Sequence, residues 1–327
     1  MVTAKRSLKD VSIYMFGQIF NLVAPFIVIP YLISVCGIEN FGKSSVALAI
    51  MFFLIVFIDY GTDIIGVKNI SINRESKAQL KEIFCTVFLA RFLLLITVVL
   101  LATIVTFSIT YFRDDWQLYI FSFTILIGHF FNSIWYFQGI ENYKWVSYLT
   151  IASKIFYLVF VFLFVRNSQD FILINFFTGI GMILSFIVGT YKVFSSLHIE
   201  KNDFSFRKSI VYIQQEFTFC ISQVFLSIKN YFPILIVSFF GGFNMAGYYK
   251  IIEQIILPIR TYLQVFFRFF YPKLSYKMHH NLIEGRSFWK VISLANAILI
   301  SVLLVIIFFS STYILSYFNI HLQELNV

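Results

Sequence analysis

Residues 83–109 read IFCTVFLARFLLLITVVLLATIVTFSI, with a single charged residue, Arg91, in the whole stretch. A helix needs about 20 apolar residues to rise through the hydrocarbon of a bilayer. Lipid supplies no water to unpaired amides, so such a stretch crosses as a helix. The same pattern recurs along the chain: apolar runs of about 20 to 25 residues, separated by short polar breaks. Composition agrees. Of 327 residues, 59% are hydrophobic and only 13% charged, with 43 Phe and 19 Tyr, against roughly 25% charged in a soluble domain. The reading is an all-α, polytopic transmembrane bundle.

Nine spans are expected, over residues 11–35, 45–67, 83–109, 117–138, 145–165, 170–191, 210–237, 247–270 and 291–318. The first is too long for a signal-peptide core and has no small-residue cleavage site, so it is read as a retained helix. Positive charge falls in alternate breaks. Segments on one side hold Lys5, Arg6 and Lys9, then Lys68, Arg74, Lys77 and Lys81, and further basic residues to Lys290. The other side holds only Lys43, Arg113 and Arg166, so the division is sixteen against three. The positive-inside rule then makes the N-terminus cytoplasmic. It also explains the net charge of +9 without nucleic acid as a partner. Segments 68–82 and 272–290 could each hold a short amphipathic helix on the inner leaflet or be plain solvated connectors. His279 and His280 belong to the second of these. Cys36, Cys85 and Cys220 have no metal-ligand spacing, so no metal or cofactor is expected.

The chain also echoes itself. Residues 30–45 read PYLISVCGIENFGKSS and residues 233–249 read PILIVSFFGGFNMAGYY. Each places Gly-x4-Gly after a proline, at Gly37–Gly42 and Gly242–Gly247. The same offset sets Arg91 opposite Asn296. These matches suggest two parallel halves related by an axis along the membrane normal. A six-helix lobe would occupy residues 1–195. A partial second lobe of three helices would occupy 205–327, against the six that a complete repeat would have.

Charges inside spans are costly, at least ~2.5–3.5 kcal/mol at the bilayer centre, and call for a partner or a wet cavity. Arg91 and Lys154 sit about nine residues in from the cytoplasmic end, roughly 13 Å deep. Lys229 and Arg260 lie deep in the second half. Together the four could line a cationic cavity, Arg gripping a phosphate bidentately and Lys acting as a point charge. In the other reading Arg91 pairs with Asp59 and Lys154 with a backbone carbonyl. Asp59, Asp63 and Glu253 are candidates for ion coupling or for structural pairing, Glu253 sharing a face with Arg260. Arg268 lies near a span end, where it can snorkel.

Short stretches along the chain, one of them holding Asp59, resemble the O-antigen flippases, the polysaccharide-transporter branch of the multidrug/oligosaccharidyl-lipid/polysaccharide exporter superfamily. The pieces are Pro30-Tyr31-Leu32 with Gly37-Ile38-Glu39-Asn40-Phe41-Gly42, Asp59-Tyr60-Gly61, Asn73-Arg74 and Trp135-Tyr136-Phe137-Gln138-Gly139-Ile140-Glu141. They continue with Gly247-Tyr248-Tyr249 and Tyr271-Pro272-Lys273-Leu274-Ser275. The resemblance covers essentially the whole chain. It implies two lobes around a central cavity. It also implies flipping of an undecaprenyl-pyrophosphate-linked oligosaccharide repeat unit across the bacterial cytoplasmic membrane.

On that reading the protein is a transporter, not an enzyme, working by alternating access. Its partners would be the lipid-linked oligosaccharide and membrane lipid, with a polysaccharide polymerase and a chain-length regulator as further candidates. Trp135 and Tyr136 could stack on sugars or sit in the interfacial belt. The alternatives are a multidrug exporter, which would want an acidic lumen, and a membrane glycosyltransferase or polymerase, which would want a large outer loop or clustered carboxylates. An inactive truncated fragment is the third.

Overall fold

A computed structural model describes residues 2–318. Side chains are described from residue 16 onward, except 264–265, 267–269, 271–273, 275–276, 279–280 and 314–315. The side chains of Lys5, Arg6, Lys9, Arg268, Tyr271, Pro272, Lys273, Ser275, His279 and His280 thus lie outside the described residues. All regular structure among the described residues is helical. Helix α1 (Val2–Asp59) leads through a π-helical turn (Thr62–Gly66) into α2 (Val67–Ile72). Then come α3 (Lys77–Ser108), α4 (Thr110–Arg113), α5 (Trp116–Phe130), α6 (Ile134–Gly139) and α7 (Tyr143–Phe164). A 3-10 turn (Ser168–Phe171) leads into α8 (Ile172–Leu197) and another (Lys201–Asp203) into α9 (Phe206–Gln215). The chain closes with α10 (Phe217–His280), α11 (Leu282–Phe309) and α12 (Ser311–Tyr317).

Among the described residues, seven stretches are helical, long and apolar enough to cross a membrane. Two of them, Phe16–Asp59 and Phe217–Leu263, are 44 and 47 residues long. At 1.5 Å per residue each is about twice a bilayer core. Each is broken once, at Gly37 (φ 79°) and Gly242 (φ 78°), a backbone region open to glycine at little steric cost. With each broken long helix counted as two, the described residues hold nine candidate crossings. Contacts along α1 prove the reversal. Gly17 packs on Ser147 and the Tyr31 hydroxyl donates to Val165 O at 2.7 Å, so the first half of α1 runs beside α7. Lys43 meets Asp115 at 2.9 Å and Asp59 meets His129 at 3.4 Å, so the second half runs beside α5. Helices α5 and α7 join through residues 131–142, which puts residues 17 and 59 at one end of the bundle and the Gly37 turn at the other. The end with residues 17 and 59 also carries the loops holding Lys68, Arg74, Lys77, Lys144, Lys201 and Arg207, and is the basic end.

Small residues let the helices approach closely, as membrane bundles require. A Cβ on Gly128 would sit 2.7 Å from Met182 Cβ, and one on Gly181 2.6 Å from Ser153 O. The run of residues 135–137 is buried here. Trp135 stacks on Phe84 (centroids 5.5 Å apart) and Phe137 on Trp145 (5.6 Å), inside a core that also holds Ile70, Leu80 and Leu149. Neither the sugar-stacking nor the interfacial-belt expectation for Trp135 and Tyr136 holds. These rings pack the protein against itself.

Some boundaries differ from expectation. The second span ends at Asp59, because Tyr60 and Gly61 both adopt positive φ. The seventh begins at Phe217, since α9 is a separate amphipathic helix capped by the Ser205 side chain. Segment 272–290 holds no separate helix: α10 runs to His280 and α11 starts at Leu282, where Asn281 caps it. The chain divides into two compact units at Lys250. In the second, the Tyr262 hydroxyl donates to Asn296 Oδ1 at 3.0 Å and Lys277 pairs with Glu284.

Candidate functional site

Where α1 ends, Asp59 is held at the floor of the bundle. Gly61 turns the chain, the Thr62 hydroxyl donates to Asp59 O, and the Asp63 amide donates to Asp59 Oδ2 at 3.3 Å. Arg91 reaches this point from α3 and is only 2% exposed. Its Nη1 donates to Asn132 O at 2.9 Å and its Nη2 to His129 O at 2.6 Å. Nη2 also lies 3.5 Å from Asp59 Oδ1, and His129 Nε2 is 3.4 Å from the same oxygen. The guanidinium therefore seats on the carbonyl end of α5, where the helix dipole is negative, and faces a carboxylate. Both terminal nitrogens are committed to the protein. Of the two sequence readings of Arg91, this geometry is the pairing one.

Sequence reasoning found Arg91 and Asp59 but not what completes them. Span four offered no carboxylate, yet it offered the carbonyls of His129 and Asn132. The available signal was His129 itself, an ionisable side chain at the end of an apolar run.

The other cations stand differently. Lys154, half-buried on α7, makes no hydrogen bond or ion pair among the described residues. Lys229 is exposed on α10 and also has none among them. In the second unit Arg260 is exposed and Glu253 half-buried. Asp63 is exposed beside the Asp59 turn.

At the end opposite the basic loops, the two echoed stretches meet. A Cβ on Gly42 would overlap the Phe243 carbonyl oxygen, and one on Gly247 would sit 2.6 Å from Ile38 O. Residue 243 stands to 38 as 247 stands to 42, so the contact is reciprocal: each turn presents a glycine to the other's backbone. Val46, Ala49, Ile234 and Ala246 form a small core beneath it. The Tyr111 hydroxyl lies 2.9 Å from Ser238 Oγ at the rim.

Two further resemblance motifs meet at the basic end. Arg74, of the Asn73-Arg74 pair, contacts Glu141 at 2.9 Å, where Glu141 closes the 135–141 run with φ 56°. The motifs thus fix how the α2 turn sits against α6.

Comparison with known proteins places the sequence in a family. A family signature described as "Polysaccharide biosynthesis protein" matches residues 7–278. Two curated proteins match, each named "Putative O-antigen transporter". The one from Escherichia coli (strain K12) is 25% identical over 287 residues, 87% of this chain and 69% of its own length. The one from Shigella dysenteriae is 25% identical over 257 residues, 78% of this chain and 64% of its own length. The chain thus spans about two thirds of these relatives. No solved structure matches. A signature that spans most of the chain, with the apolar helices in place beneath it, makes this protein a multi-pass membrane member of the polysaccharide biosynthesis protein family.

Proposed function

We propose that the protein carries a lipid-linked oligosaccharide of the undecaprenyl-pyrophosphate type from the inner to the outer leaflet of the bacterial cytoplasmic membrane, by alternating access. The observation that carries this reading is the reciprocal contact between Ile38–Gly42 and Phe243–Gly247. Two equivalent glycine turns, both in the first unit, meet there, backbone to backbone, at the end away from the basic loops. On this proposal the contact closes one end of the path, and its parting opens that end. The names of the two relatives support transport over catalysis.

The physical problem fits. A glycan hydroxyl left unbonded in hydrocarbon costs several kcal/mol, and a pyrophosphate more. Lys154 and Lys229 of the first unit are the cations proposed to meet the pyrophosphate charge, with Arg91 positioning α5 from behind; Arg260 of the second unit is proposed separately as a substrate-binding cation. An apolar cleft of about 450 Å³, lined by Phe53, Phe57, Leu94, Val98, Leu101 and Phe232, supports a lateral resting place for the prenyl chain. A polymerase and a chain-length regulator are the proposed downstream partners, and the basic end is proposed to face the cytoplasm.

The test is gene deletion. Lipid-linked repeat units are expected to accumulate on the inner leaflet, surface polysaccharide to fall, and the intact gene to restore both. A deletion strain with unchanged surface polysaccharide overturns the proposal.

A further inference from the structure

Two polar cavities at the basic end adjoin. One, of about 680 Å³, lies between α2, α3 and α9. The other, of about 550 Å³, lies between the α2–α3 turn and Glu141. They share Asn73 and Gln79, so the two form one trough across the inner face of the first unit. Both sit wholly within residues 69–215.

The chemistry of the walls is specific. Four carboxamides, Asn69, Asn73, Gln79 and Gln215, line the larger cavity. A carboxamide offers donor and acceptor together, which matches the paired demands of neighbouring hydroxyls. Thr86 and Ser205 add hydroxyl groups, and Ile83 and Val87 with the edge of Tyr212 supply an apolar floor. The charged groups along the trough are Arg74, Arg207 and Lys208 against Glu75, Glu82 and Glu141. Signs balance, and four of the six are tied in pairs, Lys208–Glu82 at 2.6 Å and Arg74–Glu141 at 2.9 Å. An anion would meet as much negative as positive charge here. A neutral, polyhydroxylated ligand meets neither penalty, and ion-paired oxygens and nitrogens are strong partners for its hydroxyls.

We infer that this trough, built on α2, α3, α9 and the Arg74–Glu141 bridge, is a saccharide-binding site that receives the glycan part of the cargo on the face where loading occurs. The identity of the ligand rests on the transport reading above; the site itself does not. The pyrophosphate is left for the cations elsewhere, which divides recognition of the head group between a neutral trough and a charged path.

The experiment uses the full chain in nanodiscs. The probe is the free repeat-unit oligosaccharide released by mild acid from the host's own lipid-linked intermediates. Inorganic pyrophosphate is the second arm. Binding is read by saturation-transfer NMR and titration. Gln79 and Gln215 are exposed and their side chains make no internal hydrogen bond among the described residues, so Gln79→Leu and Gln215→Leu leave the fold intact. Each is expected to weaken sugar binding about tenfold, the equivalent of 1.4 kcal/mol, and Lys201→Gln, outside the trough, to leave it unchanged. Sugar that binds wild type and both leucine variants alike, or that pyrophosphate displaces, overturns the site. So does a wild-type chain that exports polysaccharide yet binds no sugar. A chain that binds the sugar but restores no export upholds the site and overturns transport instead.

Discussion

Gly42 lies so close to the carbonyl of Phe243 that no side chain fits between them, and Gly247 repeats the relationship with Ile38. The pairings are 205 residues apart in register, as are the breaks at Gly37 and Gly242 with their matching φ of 79° and 78°. Gly42→Ala is therefore expected to force the hairpins apart. Overpacking of this kind costs about 1–3 kcal/mol. The variant should unfold several degrees lower in detergent and lose most export. Thermal unfolding and a surface-polysaccharide assay check both. Unchanged values in the two would mean that the contact constrains nothing.

The Arg91–Asp59 pair gives a sharper stability test. Removing one partner of a buried pair costs about 3–5 kcal/mol because the other charge is stranded. Arg91→Gln and Asp59→Asn should each be strongly destabilised. The double variant should be less damaged than the two losses added, and a double-mutant cycle measures the difference.

Lys154 should behave in the opposite way. With no protein partner among the described residues, Lys154→Gln should change stability by less than about 0.5 kcal/mol. If the ammonium meets substrate charge, export should fall markedly while inserted protein stays at wild-type abundance. Wild-type export from normally inserted Lys154→Gln removes this residue from the path.

Acid should act at the basic end. The Lys81 ammonium, 2.6 Å from Asp203, and the Glu200 amide hold the Asp203 carboxyl below the usual carboxylate range. A lowered folded pKa contributes stability that is present above the unfolded value, near 3.9 for Asp, and is lost as pH falls through the folded one. Lys81→Met should thus melt below wild type at neutral pH, and the gap should close as pH drops below about 4. Melting curves across that window check the sign.

Much of this architecture was legible in the chain. Apolar length set the spans, and Gly-x4-Gly marked both turns, since only a residue without Cβ accepts that backbone and that approach. What escaped was partner identity. Hydropathy cannot see that the carbonyls ending α5 take Arg91, nor that α9 stops at Gln215 before α10 starts, because Phe206–Gln215 runs into the next apolar stretch without a Gly or Pro between them. Residues 135–137 misled for a related reason: an aromatic run suits a lumen, a membrane belt or a core equally well, and only packing on Phe84 and Trp145 decides.

The guanidinium on the carbonyls of His129 and Asn132 also has a consequence for biogenesis. Asp59 is synthesised before Arg91, and Arg91 before the carbonyls that receive it. An uncompensated charge in lipid is costly, so the third crossing, which carries Arg91, is expected to settle only once the second and fourth are there to receive it. The order of synthesis and the order of assembly are thereby coupled through one side chain.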